Sequence, residues 1–196
     1  MAGRGTVEAE DRTPMAHVWM LTDAGTWAPA VEPVHFHKPG GSAIRAWVPG
    51  ALDSATSTHP YDDAIARTRR AMSRLTLDGI LWLQGESDGN ARNASDYETR
   101  LRAVIANLRR DLNAPDVPLL IGQMGRFAER PWNHYRERVD SAHRAVAATT
   151  PHAAFVVTEG LRHRGDTIHY DAASAREIGR RYAKSYIELN KQGKKK

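Results

Sequence analysis

Three short runs in this chain are apolar from end to end: residues 80–83 (Ile-Leu-Trp-Leu), 117–121 (Val-Pro-Leu-Leu-Ile) and 153–157 (Ala-Ala-Phe-Val-Val). A strand with one wet face alternates polar and apolar residues, whereas a uniformly apolar run is predicted to be buried on both faces, the mark of a parallel sheet. The segments around them carry helical spacing. Ile65, Met72 and Leu75 mark one face from Asp62 onward. Tyr97, Leu101, Val104, Ile105, Leu108 and Leu112 mark a second helix, with Ser95 and Glu98 as a capping box and Asn113-Ala114-Pro115 as its stop. Tyr135, Val139, Ala142 and Val146 line a third. Asp171 is placed to cap a final helix whose inward face is Ile178, Tyr182, Tyr186 and Leu189. Strands alternating with helices predict an α/β fold, a parallel sheet with helices on both faces. Upstream, residues 17–21 and 26–28 joined by Asp23-Ala24-Gly25 predict a small hairpin, and residues 29–59 read as loop with a short element around residues 44–48.

A chain of 196 residues suits one such domain, expected over 1–190, with 191–196 as a basic disordered tail. Hydrophobic content of 41% with 26% charged residues fits a soluble globular protein, and no apolar run approaches the ~20 residues of a bilayer span. Zero cysteines exclude disulfides and thiolate metal sites. The net charge of +5 owes much to Lys191, Lys194, Lys195 and Lys196, and the other basic residues are interspersed with acids, so nucleic-acid binding is not expected. Membrane association is not expected either. Whether such a protein is secreted or cytoplasmic is left open by these features.

In open α/β sheets ligands bind outside the carboxyl ends of the strands. Gln84-Gly85-Glu86 follows one strand there, and Asp166 and His169 lie in the loop before the last helix, so both segments converge on one sheet edge. A histidine general base needs a carboxylate to fix its tautomer, and an acid three residues earlier in a turn can supply it. Asp-x-x-His also arises by chance, and Glu159 with His163 is an alternative pair. An amide at a strand end, such as Gln84, can donate to a developing oxyanion, and Gly85 permits close approach. The same three residues also fit a plain polar turn. His35 and His37 have the spacing of a metal pair but lack a third ligand, so no metal and no cofactor are expected.

Trp82-Leu83-Gln84-Gly85-Glu86-Ser87-Asp88 and Asp166-Thr167-Ile168-His169, with Gly40-Gly41-Ser42 and the following Ile44-Arg45-Ala46-Trp47, resemble the SGNH (GDSL-type) hydrolases. The resemblance is to their sialate O-acetylesterase and acetyl xylan esterase family of carbohydrate esterases. It implies a three-layer α/β/α fold of flavodoxin-like type and hydrolysis of acetyl esters on an acetylated carbohydrate, through serine attack and an acyl-enzyme. In that scheme His169 is the base, Asp166 its orienter, Gly41 (by its backbone N–H) and Gln84 the oxyanion donors, and Glu86 orients the loop or a sugar hydroxyl. Leu83 departs from the family's His or Tyr.

The family's nucleophile lies in a Gly-Gln-Ser-Asn segment followed by residues much like Met1-Ala2-Gly3-Arg4-Gly5. The expectation is therefore that this chain lacks the nucleophile, is incomplete at its N-terminus and around 39–40, and misses two strands. Residues 80–83 would then form a bare edge open to self-association. Ser42 and Ser87 lack the strand-to-helix elbow of a substitute nucleophile. A non-catalytic carbohydrate-binding or regulatory relative is the alternative reading.

Overall fold

The computed structural model describes residues 15–22, 24–30 and 41–193. Two strands, β1 (Met15–Leu21) and β2 (Trp27–Ala30), pair antiparallel as the predicted hairpin. A 3-10 turn (Ile44–Ala46) precedes α1 (Pro60–Met72), β3 (Ile80–Trp82), a second 3-10 turn (Glu86–Asp88), α2 (Tyr97–Asp111), β4 (Leu119–Gly122), α3 (His134–Thr149), β5 (Ala153–Val156) and α4 (Ala172–Gly193). The main sheet is parallel in the order β3-β4-β5, with Ile80 opposite Leu119 and Leu119 opposite Ala153. The fold is α/β, a parallel sheet between helical layers, as the periodicity predicts.

Alternation along β4 divides the core. Leu119 and Ile121, wholly buried, belong to a cluster with Leu101, Val104 and Leu108 of α2 and Val139 and Val146 of α3, joined by Tyr61 and Ile65 of α1. Leu120, equally buried, points the other way into Val156 and the α4 residues Ile178 and Tyr182, with Tyr186 and Leu189 beside them. Each such side chain contributes roughly 1.5–3 kcal/mol by leaving water, which is why β4 anchors both layers.

β3 departs from the uniform burial read from its composition. It is the edge strand of the described sheet; Trp82 is 5% exposed on the α2 side, but Leu81 on the α4 side is 62% exposed. The cause is coverage: α4 packs mainly on β4 and β5 and meets β3 through Tyr182 Oη, which donates to the Trp82 carbonyl at 3.0 Å, while the Leu81 side chain stays uncovered. An apolar run identifies a strand but does not say which neighbours cover it.

The helix termini correct two more expectations. The capping box of Ser95 and Glu98 does not form, because α2 begins at Tyr97 with Asp96 at its cap position. Glu98 instead pairs with Arg102 at 2.7 Å, and Asp96 with Arg100 at 2.7 Å, both one turn along. At the other end of the chain α4 continues through residues 191–193, which were expected in the tail, and 194–196 lie outside the described residues. Asp171 does cap α4, accepting the Ser174 N–H at 2.7 Å. Among the described residues no helix is long and apolar enough to cross a membrane.

The unequal coverage of the two faces is testable by chemical denaturation. Leu120→Ala should cost about 2–5 kcal/mol, while Leu81→Thr should change stability by less than about 0.5 kcal/mol. Comparable losses at the two positions would mean that Leu81 is covered in solution.

Candidate active site

The loop from β5 to α4 is built as a seat for one histidine. Its base is closed by a bridge between His163 and Tyr170, with Arg164 N–H donating to His169 O and Asp171 N–H to Arg162 O, each at 3.0 Å. Tyr170 Oη reaches across to the Gln123 carbonyl at 3.2 Å, and Phe127 stands edge-on to both His163 and Tyr170, which ties the loop to the end of β4. Within the loop Asp166 makes its own turn: Oδ1 accepts the N–H groups of Ile168 (3.0 Å) and His169 (2.8 Å). Short polar side chains fold the backbone this way wherever the following amides are free. The turn brings His169 Nδ1 to 2.6 Å from Asp166 Oδ2, and Arg164 Nε donates to the same oxygen at 2.9 Å.

This geometry fixes the chemistry of His169. An ionised carboxylate only accepts, so Nδ1 carries the proton and Nε2 presents a lone pair. Partial burial pushes the Asp166 carboxyl up, but the hydrogen bonds from the backbone and ring of His169, from Ile168 and from Arg164 outweigh it and hold the group below the usual carboxylate range. Asp166 therefore stays ionised. The His169 side chain is 30% exposed, and among the described residues nothing is hydrogen-bonded to Nε2. A base in this state can take a proton from a hydroxyl or a water.

The second segment is organised around Asp88, which has no solvent exposure. Its two oxygens accept the Ile44 N–H at 3.1 and 2.9 Å, and Oδ2 also accepts Gln84 Nε2 at 2.6 Å. Gln84 Nε2 donates its other hydrogen to the Ser42 carbonyl at 3.0 Å, and Gln84 Oε1 accepts from Tyr97 Oη at 2.8 Å. Both amide hydrogens of the expected oxyanion donor are thus already engaged. Ser87 Oγ donates to the Gly41 carbonyl, so Gly41, Ser42 and Ile44 are each strapped to the 84–88 loop by a separate contact. Burial pushes the Asp88 carboxyl up against the Gln84 and Ile44 hydrogen bonds.

Gly85 has φ of 144°, and a Cβ there would sit 2.8 Å from Met124 Sδ and 2.9 Å from Val139 Cγ1. Glycine is required on both counts. It turns Glu86 inward: Glu86 Oε1 is buried with no hydrogen-bond partner, and burial raises the carboxyl's pKa while the charges of Arg136 and His169 pull it down.

Other candidates separate. His163 does not pair with Glu159; its Nδ1 accepts the Gly165 and Thr167 N–H groups at 2.9 and 3.2 Å and Nε2 faces Glu129 at 3.5 Å, so it braces the loop. Ser42 is buried, and neither it nor Ser87 meets His169. His35 and His37 lie outside the described residues. The sequence reading passed over Asp88, Tyr97 Oη and His143. The last two are 2.7 Å apart, both fully buried, with Tyr97 also bonded to Gln84. A signal existed for His143, a polar residue at helical spacing between Val139 and Val146 on an apolar face.

With this geometry in hand, the comparisons decide the family. Residues 37–188 match the family model described as carbohydrate esterase, sialic acid-specific acetylesterase. The chain belongs to that family. A probable carbohydrate esterase of Arabidopsis thaliana is 27% identical over 150 residues, covering 76% of this chain and 52% of the relative, so the chain spans about half the length of that curated relative. The solved structure of that Arabidopsis protein superposes with a TM-score of 0.80 at 22% identity, covering 96% of this chain and 93% of the other. NanS gives 0.62 at 19% identity over 78% and 63% of the two chains. A carbohydrate acetylesterase from Xanthomonas citri gives 0.61 at 18% over 87% and 47%. At these identities the structures speak for the fold.

The buried His143 gives this family member a specific acid sensitivity. Burial, opposed by its hydrogen bond to the Gln84 backbone, pushes it from 6.5 down to about 3. Between those values the unfolded chain binds a proton that the folded chain does not, so His143 costs nothing above pH 6.5 and lowers stability as the pH falls, by at most about 1.4 kcal/mol per pH unit. Urea unfolding at steps from pH 7 to about 4.5, above the ordinary carboxylate range, should show wild type losing more stability than His143→Gln. Equal slopes would place the histidine's pKa near its ordinary value.

Proposed function

We propose that the protein to which this chain belongs removes acetyl groups from an acetylated carbohydrate by serine-type ester hydrolysis. The observation that carries this is the Asp166–His169 pair, with Nδ1 held by an ionised carboxylate and Nε2 open at the carboxyl edge of the sheet. His169 takes the proton of the attacking hydroxyl as it adds to the acetyl carbonyl, and returns it to the sugar oxygen that leaves. It then deprotonates the water that releases acetate. Asp166 stabilises the imidazolium formed at each stage. The similar Xanthomonas citri structure is that of a carbohydrate acetylesterase, which supports this substrate class.

In this reading the Gly41 backbone N–H faces the oxyanion. Gln84, with both amide hydrogens engaged, serves by holding Gly41 and Ser42 at that position. Ser42 and Ser87 are not the nucleophile, and the attacking serine is not among the described residues. The chain alone therefore contributes the histidine half of the site.

Acetate release from acetylated xylan and 4-nitrophenyl acetate tests this. The chain as it stands should remain near background, since loss of a triad serine costs on the order of 10⁶ in turnover. A protein extended by a Gly-Gln-Ser-Asn-type segment should hydrolyse both, and His169→Ala in it should cost at least ~10³. Retention of most activity by that variant would remove His169 from the mechanism. Sugar binding without any acetate release from the extended protein would favour the non-catalytic reading.

A further inference from the structure

The loop that carries Asp166 and His169 owes its shape to a second histidine. Four backbone amides near its tip are taken by two side chains. Asp166 Oδ1 accepts those of Ile168 and His169, while His163 Nδ1 accepts those of Gly165 at 2.9 Å and Thr167 at 3.2 Å. The residues bonded to His163 are the ones whose backbone is unusual. Gly165 lies at φ of 109° and Thr167 at 57°, both in the left-handed region. For Thr167 this conformation is uphill, because a β-branched side chain crowds its own backbone there, so contacts from outside the residue must hold it. Its amide, bonded to the His163 ring, is such a contact. Thr167 directly follows Asp166, so its backbone sets where the Asp166 turn begins.

The His163 ring is in turn held by the loop between β4 and α3. Phe127 stands edge-on to it with ring centroids 5.1 Å apart, and Glu129 Oε2 faces Nε2 at 3.5 Å. The two loops are close-packed: a Cβ on Gly125 would stand 3.4 Å from the Ile168 carbonyl oxygen and 2.5 Å from the Phe127 ring. A ring nitrogen that accepts two N–H groups carries no proton, so the proton of His163 is on Nε2, the nitrogen that faces the carboxylate. His163 is thus the reverse of His169. Its lone pair is engaged by the backbone, whereas that of His169 points outward.

We propose that His163 is a positioning residue for the base: as acceptor of the Gly165 and Thr167 amides, it holds residues 165–167 in the conformation that sets the Asp166 carboxylate against His169 Nδ1. This deepens the esterase reading above. Without an acceptor at that place two amides of a partly buried loop lose their partner, Thr167 is no longer held left-handed, and the Asp166 turn loosens. His169 then meets its carboxylate for less of the time and loses its fixed tautomer. An aromatic ring of similar size does not replace the acceptor, whereas the carbonyl oxygen of an asparagine side chain does.

Nitrogen-15 NMR of the histidine rings in the chain as it exists, at neutral pH, tests this in wild type, His163→Phe and His163→Asn. Wild-type His163 should show a bare Nδ1 and a protonated Nε2; a proton on its Nδ1 would overturn the proposal. His163→Phe keeps a ring against Phe127 and removes the acceptor. In it the Nδ1 proton of His169 should exchange with solvent about tenfold faster than in wild type, and the ring should lose its tautomer preference. His163→Asn should exchange within about threefold of wild type, a rescue that ring packing does not supply. Wild-type behaviour of His169 in His163→Phe, or equal losses in the two variants, would overturn the proposal. If His163→Phe does not fold, His163→Asn decides: the proposal requires it to fold with His169 as in wild type, and any other result overturns it. A wild-type His169 with no proton on Nδ1 removes the esterase reading, and this inference with it. A protonated His169 Nδ1 that is indifferent to His163 removes this inference alone.

Discussion

A carboxylate without solvent access is stable only when its oxygens are met by donors, and the arrangement around Asp88 follows from that requirement. Its oxygens draw in the Ile44 N–H and the Gln84 amide, and Gln84 in turn takes the Ser42 carbonyl and the Tyr97 hydroxyl. Four pieces of chain distant in sequence are fixed by these bonds: the segment at 41–46, the loop after β3, α2, and, through Tyr97 and His143, α3. None of these contacts is strong alone, at about 1 kcal/mol net each. Together they hold the four segments in place, because breaking any one leaves a buried polar group unpaired.

Asp166 solves a different problem with the same chemistry. It is partly exposed and needs no partner to remain ionised, yet it gathers two backbone amides, an arginine and the His169 ring within a six-residue span. The pair is consequently preorganised by local structure rather than by the packing of distant elements. The two carboxylates contrast: one is buried and holds distant segments together, the other is partly exposed and holds a single imidazole.

Much of this was legible in the residues. The apolar runs located β3, β4 and β5, and the spacing of Val139, Ala142 and Val146 located α3 with its inward face. Asp166 and His169 were legible because the turn that joins them is local. What eluded the sequence reading was decided by partners far along the chain. Leu81 is as apolar as Leu120, but α4 covers one and not the other. Ser95 and Glu98 have the spacing of a capping box, but Arg102 competes for Glu98. Gln84 has the chemistry of an oxyanion donor, yet Asp88 and Ser42 occupy its hydrogens, and no local pattern announces a contact between residues 42 and 84. His143 could have been suspected as a polar residue on an apolar face, whereas its bond to Tyr97 required the fold.

The central claim is that Asp166 holds His169 with its proton on Nδ1 and its lone pair on Nε2. Nitrogen-15 NMR of the histidine rings in the intact chain at neutral pH reads this directly. The account predicts that His169 shows a protonated Nδ1 and an unprotonated Nε2, and that Asp166→Asn removes that preference while leaving the signals of His143 in place. A His169 ring protonated at Nε2 in the wild type, or a tautomer indifferent to Asp166→Asn, would contradict it.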